Sequence, residues 1–241
     1  MASSASEENC GILRPIPPQR LGRGLMIEPP GTVHSCSPAI RSPIPERSLR
    51  CGCPATNRRW KSASEWSGGA MRHLSFDDLA AAFRTHRRAF HLEVRDDYSG
   101  VAGEADRVRR FLVGEPQDPQ ASARWHALMR EVTGSGRVVQ RVRVVSEPHG
   151  DYTRFSIGTT AANLDAGEDI RWLPRHDAPV DLPDDDWWLF DEELAAFTVF
   201  TADGEALPGW VATSDPVVVA HCAQRRDDLW AKAIEHADYA K

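Results

Sequence analysis

The amino-acid sequence predicts an α/β fold: a single domain with a mixed sheet flanked by helices, preceded by a disordered N-terminal extension. Three observations predict it. Residues 137–175 read as strand, helix and strand, the pattern of a crossover connection in a partly parallel sheet. Asp203-Gly204 separates two further strand-like runs, the strongest short-range signal for a hairpin, and so adds an antiparallel edge. Finally, the texture of the chain changes abruptly at Met71, where periodic apolar segments begin.

Residues 1–70 hold nine of the seventeen prolines and no apolar periodicity. Such a stretch buries too little apolar surface to offset its backbone entropy, so it is expected to be disordered. His34, Cys36, Cys51 and Cys53 raise the question of zinc, but only one residue separates each pair, whereas structural sites need two or more. No metal or other cofactor is therefore expected. Ser67-Gly68-Gly69-Ala70 stands immediately before Met71, and glycine codons can spell a purine-rich ribosome-binding sequence, so natural translation is expected to begin at Met71.

The elements of residues 71–241 follow in order. Ser75 and Asp78 form a capping signature ahead of a short helix over about 76–86. Residues 89–95, AFHLEVR, read as a strand. A helix over 104–112 carries Val108, Phe111 and Leu112 on one side, and a second over about 120–133 places Trp125, Leu128, Met129 and Val132 on one stripe. In the next strand Val138, Val142 and Val144 alternate with Arg137, Arg141 and Arg143, the pattern of a half-buried strand. One continuous helix from Asp151 to about Ala166 precedes a strand over 169–173. Trp187 to Phe190 is a short, wholly apolar buried strand, and residues 194–201 and 205–212 form the hairpin. Asp215 and Pro216 supply the N-cap and first position of the last helix, whose buried side includes Cys222.

Charge narrows the function classes. The net charge of −6 divides unevenly: residues 1–70 hold nine Lys and Arg against five Asp and Glu, leaving twenty against thirty in residues 71–241. A body near −10 does not suit direct binding to a nucleic-acid backbone, which needs clustered cations. No apolar run of about 18 residues is present, so no membrane span is expected, and a single thiol in the body, Cys222, fits a reducing, cytoplasmic setting.

Six blocks of the body, AFHLEVRDDY (89–98), RVVQRVRVVSEP (137–148), DYTRF (151–155), AGEDIRWLPR (166–175), WWLFD (187–191) and RDDLW (226–230), resemble the actinobacterial family DUF6879 over nearly all of residues 73–236. The resemblance implies a domain that begins near Met71 and is encoded beside helix-turn-helix regulators of the Xre type. Such a regulator is thus the expected partner. A second, fold-level resemblance is to phospholipase D-like sensor domains, carried by the V-R-V-V and I-R-x-L strands and the Phe-Asp strand end. None of the nine histidines has a lysine two residues on, so the catalytic His-x-Lys motif of that superfamily is absent.

The candidate site residues follow from position and type. Asp184-Asp185-Asp186 offers carboxylates to a hard cation, although a solvated loop is the simpler reading. His149 and His176 flank the crossover, where an imidazole titrates near neutrality. Glu168 with Arg171 and Arg175, joined by Glu147 from the neighbouring strand end, lies where open α/β sheets place ligands, with structural ion pairing as the simpler alternative. The glycine-rich, nucleophile-elbow and zinc-protease motifs are all missing. The expected function is a non-enzymatic interaction or ligand-sensing module, with Glu147, Arg171 and Arg175 as ligand contacts. The alternative is a divergent hydrolase or nuclease using His149, Glu168 or Asp186.

Overall fold

Residues 71–241 are described in the computed structural model, so the expectations for the extension and its cysteines lie outside the described residues. Eight strands form one mixed sheet: β1 (Arg72–Leu74), β2 (Arg88–Glu93), β3 (Val138–Val145), β4 (Asp169–Pro174), β5 (Trp187–Phe190), β6 (Leu194–Phe197), β7 (Trp210–Thr213) and β8 (Ile234–Glu235). Their order across the sheet is β1-β7-β6-β5-β2-β3-β4-β8. The helices are α1 (Phe76–Thr85), α2 (Glu104–Leu112), α3 (Ala123–Gly134), α4 (Asp151–Thr159), α5 (Ala161–Asp165), α6 (Pro216–Trp230) and α7 (His236–Tyr239).

Strands β2, β3 and β4 run parallel, joined by crossovers through α2 and α3 and through α4 and α5. On the far side of β2 the pairings with β5, β6, β7 and β1 are all antiparallel. The mixed sheet is thus the one the sequence predicts, but the hairpin is not its edge. β1 lies outside β7, and its three residues are too few to show an alternation. The chain enters β7 through Gly209, at φ +78°, where a Cβ would stand 2.4 Å from the Leu74 carbonyl oxygen of β1. Both edge strands, β1 and β8, are very short, a common guard against edge-to-edge pairing.

Local signals place the helix starts. Ser75 and Asp78 close a reciprocal capping box on α1, and the Asp215 carboxylate accepts the Val217 N–H at 2.8 Å to open α6 behind Pro216. The single helix expected over 151–166 is instead two. Thr159 and Thr160 donate their hydroxyls back to the carbonyls of Phe155 and Ser156, a competing bond that bends helices, and the chain breaks there.

The two faces of the sheet are covered differently. One carries Phe90, Leu92, Val142, Val144, Leu173, Trp187 and Leu189 against Val219, Cys222 and Leu229 of α6. Each large side chain sealed there contributes about 1.5–3 kcal/mol of transfer free energy. The other face is apolar over only part of its extent: Ala89, Val139, Trp188, Phe190 and Leu194 pack under Phe83 of α1 and Met129 and Val132 of α3. Beyond that core, toward the C-terminal ends of β2 and β3, the same face turns polar.

A candidate ligand-binding cleft

Side chains alternate across a strand, so Ala89, His91 and Glu93 of β2 share one face, as do Val139, Arg141 and Arg143 of β3. The parallel register sets His91 beside Arg141 and Glu93 beside Arg143, and the antiparallel register sets His91 beside Trp188. Where Ala89 and Val139 end the apolar core, these four charged or polar side chains form the floor of a cleft of about 620 Å³. That is the size range of small-molecule sites. Its walls come from Tyr98, from Glu104 and Arg107 of α2, from Trp125 of α3, from Tyr152, Phe155 and Ser156 of α4, and from Phe200 and Trp210.

The floor is an ion-pair network built inside the protein. Arg141, 7% exposed, donates to Glu93 Oε1 at 2.5 Å and, through Nη2, to Glu168 Oε2 at 2.8 Å. Arg143 Nε lies 2.7 Å from the other Glu93 oxygen. Glu168 Oε1 accepts the Trp125 indole N–H at 2.6 Å and the Asn163 amide at 2.9 Å, so both its oxygens are occupied. Burial alone would raise the Glu93 pKa, but the adjacent Arg141 and Arg143 overcome it and hold the carboxyl at about 2. Burial works against the charge of Arg141 too, yet Glu168 and Glu93 prevail and raise its pKa.

Two groups in the cleft are not so compensated. His91 is 8% exposed and lies flat on Trp188, its ring nitrogens both buried and without a hydrogen-bond partner. Its Nδ1 is 3.4 Å from Glu93 Oε1, in a geometry that makes no hydrogen bond. Desolvation pushes its pKa down to about 3, so the imidazole is neutral. Asp186, 1% exposed at the start of β5, accepts the Val94 N–H at 2.7 Å with the Tyr98 hydroxyl beside it. Desolvation raises its carboxyl to about 7 against the lowering effect of that N–H.

The structure scatters the residues named from sequence over five places. Asp186 lines the cleft, buried and not in a solvated loop, and Glu168 anchors the floor from beneath. Glu147 and His149 meet elsewhere, both within hydrogen-bond reach of the Tyr239 hydroxyl, at 3.0 and 3.1 Å. Arg175 donates to the Val94 carbonyl and the Ser146 hydroxyl and pairs with Asp96, tying the ends of β2, β3 and β4. Arg171 stacks over Trp230 beside α6 and pairs with Asp169 and Glu235. His176 is exposed beside Asp177. Glu147, His149, Arg171 and Arg175 are thus not among the cleft's lining, and among the described residues no group of three or more His, Cys, Asp or Glu could hold a metal ion.

His91, Glu93, Arg141, Arg143 and Trp188 are the residues that sequence reasoning missed. The signal was present. A parallel sheet is covered on both faces, so charged side chains alternating along β2 and β3 have no solvent to meet and must pair or line a site.

Among solved structures the chain is similar to the phospholipase D family member Nuc from Salmonella typhimurium, with a TM-score of 0.41 and 12% identity over 70% of this chain and 98% of that one. It is similar to NucT from Helicobacter pylori at a TM-score of 0.39 and 10% identity, over 70% and 98%. A third similarity is to TrmBL2, an archaeal chromatin protein, at a TM-score of 0.38 and 13% identity; it covers 71% of this chain, which spans 55% of TrmBL2's length. No curated protein matches the sequence. Among the described residues no helix is long and apolar enough to cross a membrane. The model of the domain of unknown function DUF6879 matches residues 75–241, more than half of the chain, and the chain belongs to that family.

Proposed function

We propose that this domain is a ligand-sensing module that acts with a helix-turn-helix transcription regulator. The observation that carries the reading is His91: a neutral imidazole with both nitrogens buried, unpartnered and set in the floor of a cleft of about 620 Å³. A buried polar group left without partners costs about 1–3 kcal/mol, and a bound ligand recovers it. The floor around His91 is fixed by ion pairs and hence preorganised, which lowers the free-energy cost of binding. The partner half of the reading rests on the charge of about −10 over residues 71–241, which complements the basic surface of a DNA-binding protein.

The test has two arms. Titration of the full chain with a library of small metabolites, followed by the fluorescence of Trp125, Trp188 and Trp210, should find a saturable ligand, and its absence across all classes defeats the sensing half. Co-purification with a helix-turn-helix regulator of the Xre type from the same genome, and competition with that regulator's DNA, should both succeed; failure of both defeats the partner half.

One observation favours a second reading, a hydrolase. Asp186 keeps a proton up to about pH 7 beside Tyr98, the state a general acid needs. A screen against phosphodiester and ester substrates discriminates the two: turnover abolished by Asp186→Asn, in a protein that still folds, replaces sensing with catalysis.

A further inference from the structure

The cleft's chemistry narrows the ligand class, on the understanding that the cleft is a binding site as proposed above. Each arginine lining it is already neutralised: Arg107 by Glu104 at 2.5 Å, Arg141 by Glu93 and Glu168, and Arg143 by Glu93. Three guanidinium groups meet three carboxylates, so these six side chains together carry no net charge to draw in a phosphate or carboxylate. Conversely, Glu93, Glu104 and Glu168 face arginines, and Asp186, 1% exposed, is engaged by the Val94 N–H with the Tyr98 hydroxyl beside it, so these carboxyls are not open to an organic cation.

Among the lining residues, the buried side-chain atoms without a hydrogen-bond partner are both nitrogens of His91 and the Nε atoms of Arg107 and Arg143; the two arginines already face carboxylates, and the uncharged group is His91. A neutral imidazole carries one N–H donor and one lone-pair acceptor, at the two ring positions that flank Cε1. Trp188 covers one face of that ring at a centroid distance of 4.1 Å and an interplanar angle of 9°, and a hydrogen bond to either nitrogen comes in the plane of the ring. An aliphatic ligand would leave both unpaired. The walls supply the other half of the recognition. Tyr98, Tyr152 and Phe155 form a chain of rings with centroid spacings of 5.2 and 5.8 Å, and Trp125 stands beside Trp188 at 5.7 Å. Among the described residues no ring pair joins the first group to the second, and both line the same cleft. Aromatic walls receive the faces of a flat ring, and stacking on them contributes about 1–3 kcal/mol per base in proteins that bind nucleobases.

We propose that the cleft binds an uncharged, planar heteroaromatic ring carrying both hydrogen-bond donors and acceptors, of the kind found in nucleobases and nucleosides, with His91 reading its edge and the aromatic walls receiving its faces.

The experiment titrates the full chain, by calorimetry and tryptophan fluorescence, with four probe sets: adenine, guanine and uracil with their nucleosides; the corresponding monophosphates; choline; and octanoate. Expected is saturable binding of at least one base or nucleoside, with its monophosphate no more than about threefold tighter, since the paired side chains carry no net charge to draw in the phosphate. His91→Phe keeps a flat ring on Trp188 and removes both nitrogens, and should weaken that binding by about tenfold or more. Val217→Ser, on the exposed side of α6, should leave it unchanged. Binding confined to choline or octanoate overturns the ligand class and leaves the sensing reading standing. Failure of every base and nucleoside to bind the wild-type chain overturns the inference whatever the variants do, and so does a monophosphate that binds a hundredfold tighter than its nucleoside.

Discussion

His91 and Asp186 titrate in opposite senses on the same face of the sheet, two neighbours linked through Trp188 and the start of β5. Folding lowers the His91 pKa from 6.5 to about 3, so its contribution to stability is present above pH 6.5 and lost as pH falls toward 3. Folding raises the Asp186 pKa from 3.8 to about 7, so its contribution is present below pH 3.8 and lost as pH rises toward 7. The two slopes, each about 1.4 kcal/mol per pH unit, oppose one another across nearly the same window. Glu93, lowered from 4.5 to about 2, acts only below about pH 4.5, while His221 and His236, both lowered by burial, add to the rising side.

The expected outcome is a small net dependence of wild-type stability on pH between about 4.5 and 6.5. Relative to wild type, Asp186→Asn should gain stability as pH rises through that window, and His91→Phe should lose it. Urea unfolding at half-unit pH steps measures both differences. Parallel curves for either variant and wild type would show that the group does not titrate between folded and unfolded states as described.

Arg141 stands between Glu93 and Glu168, and the prediction here concerns removing one charge from a buried triad. Arg141→Met leaves two buried carboxylates without their common partner and should cost about 3–5 kcal/mol at pH 7. Glu168→Gln is milder, about 1–3 kcal/mol, because Arg141 retains Glu93 and the amide still accepts from Trp125. The Arg141→Met loss should shrink at acid pH, as the Glu93 carboxyl, no longer held down by Arg141, takes up its proton. A constant loss from pH 7 to pH 4 would instead assign it to packing.

How much of this was legible in the sequence depends on whether the information was local. The capping box at Ser75, the Asp215-Pro216 start of α6 and the apolar Trp187–Phe190 strand are set by neighbours in the chain, and they appear where expected. β1 and β8 were not legible, since two or three residues carry no periodicity and owe their strand geometry to β7 and β4. The cleft was hidden for a subtler reason. The arginines of β3 read as a solvated face because alternation of Val with Arg fits water on one side, and the cue against that reading, that a parallel sheet is covered on both faces, works only once β3 is placed between parallel strands. Val138, taken from the sequence as a core residue, is exposed, while Arg141 is buried. Asp186 was inseparable from Asp184 and Asp185 by composition, and what distinguishes it is the Val94 N–H it meets across the sheet.

α2 supplies the last prediction, because it lies over the cleft with none of its residues buried. Its Glu104 and Arg107 line the opening, and its hold on the body runs through Phe111, whose ring packs edge-on against Phe155 at 5.8 Å and fills the space above Gly158. A Cβ at Gly158 would stand 2.7 Å from Phe111 Cε2. Helix propensity alone favours Gly158→Ala by about 1 kcal/mol, since alanine has less backbone entropy to lose in α4. The contact opposes this gain, and because the clash falls on the far end of a side chain, the ring swings aside before the core of the sheet is disturbed. Global stability should therefore change by about 1 kcal/mol or less, while amide exchange over residues 104–112 accelerates and ligand affinity at the cleft falls. Unchanged protection of α2 in Gly158→Ala would show that Phe111 is not what fastens this helix, and would remove α2 from any account of how the cleft closes over what it binds.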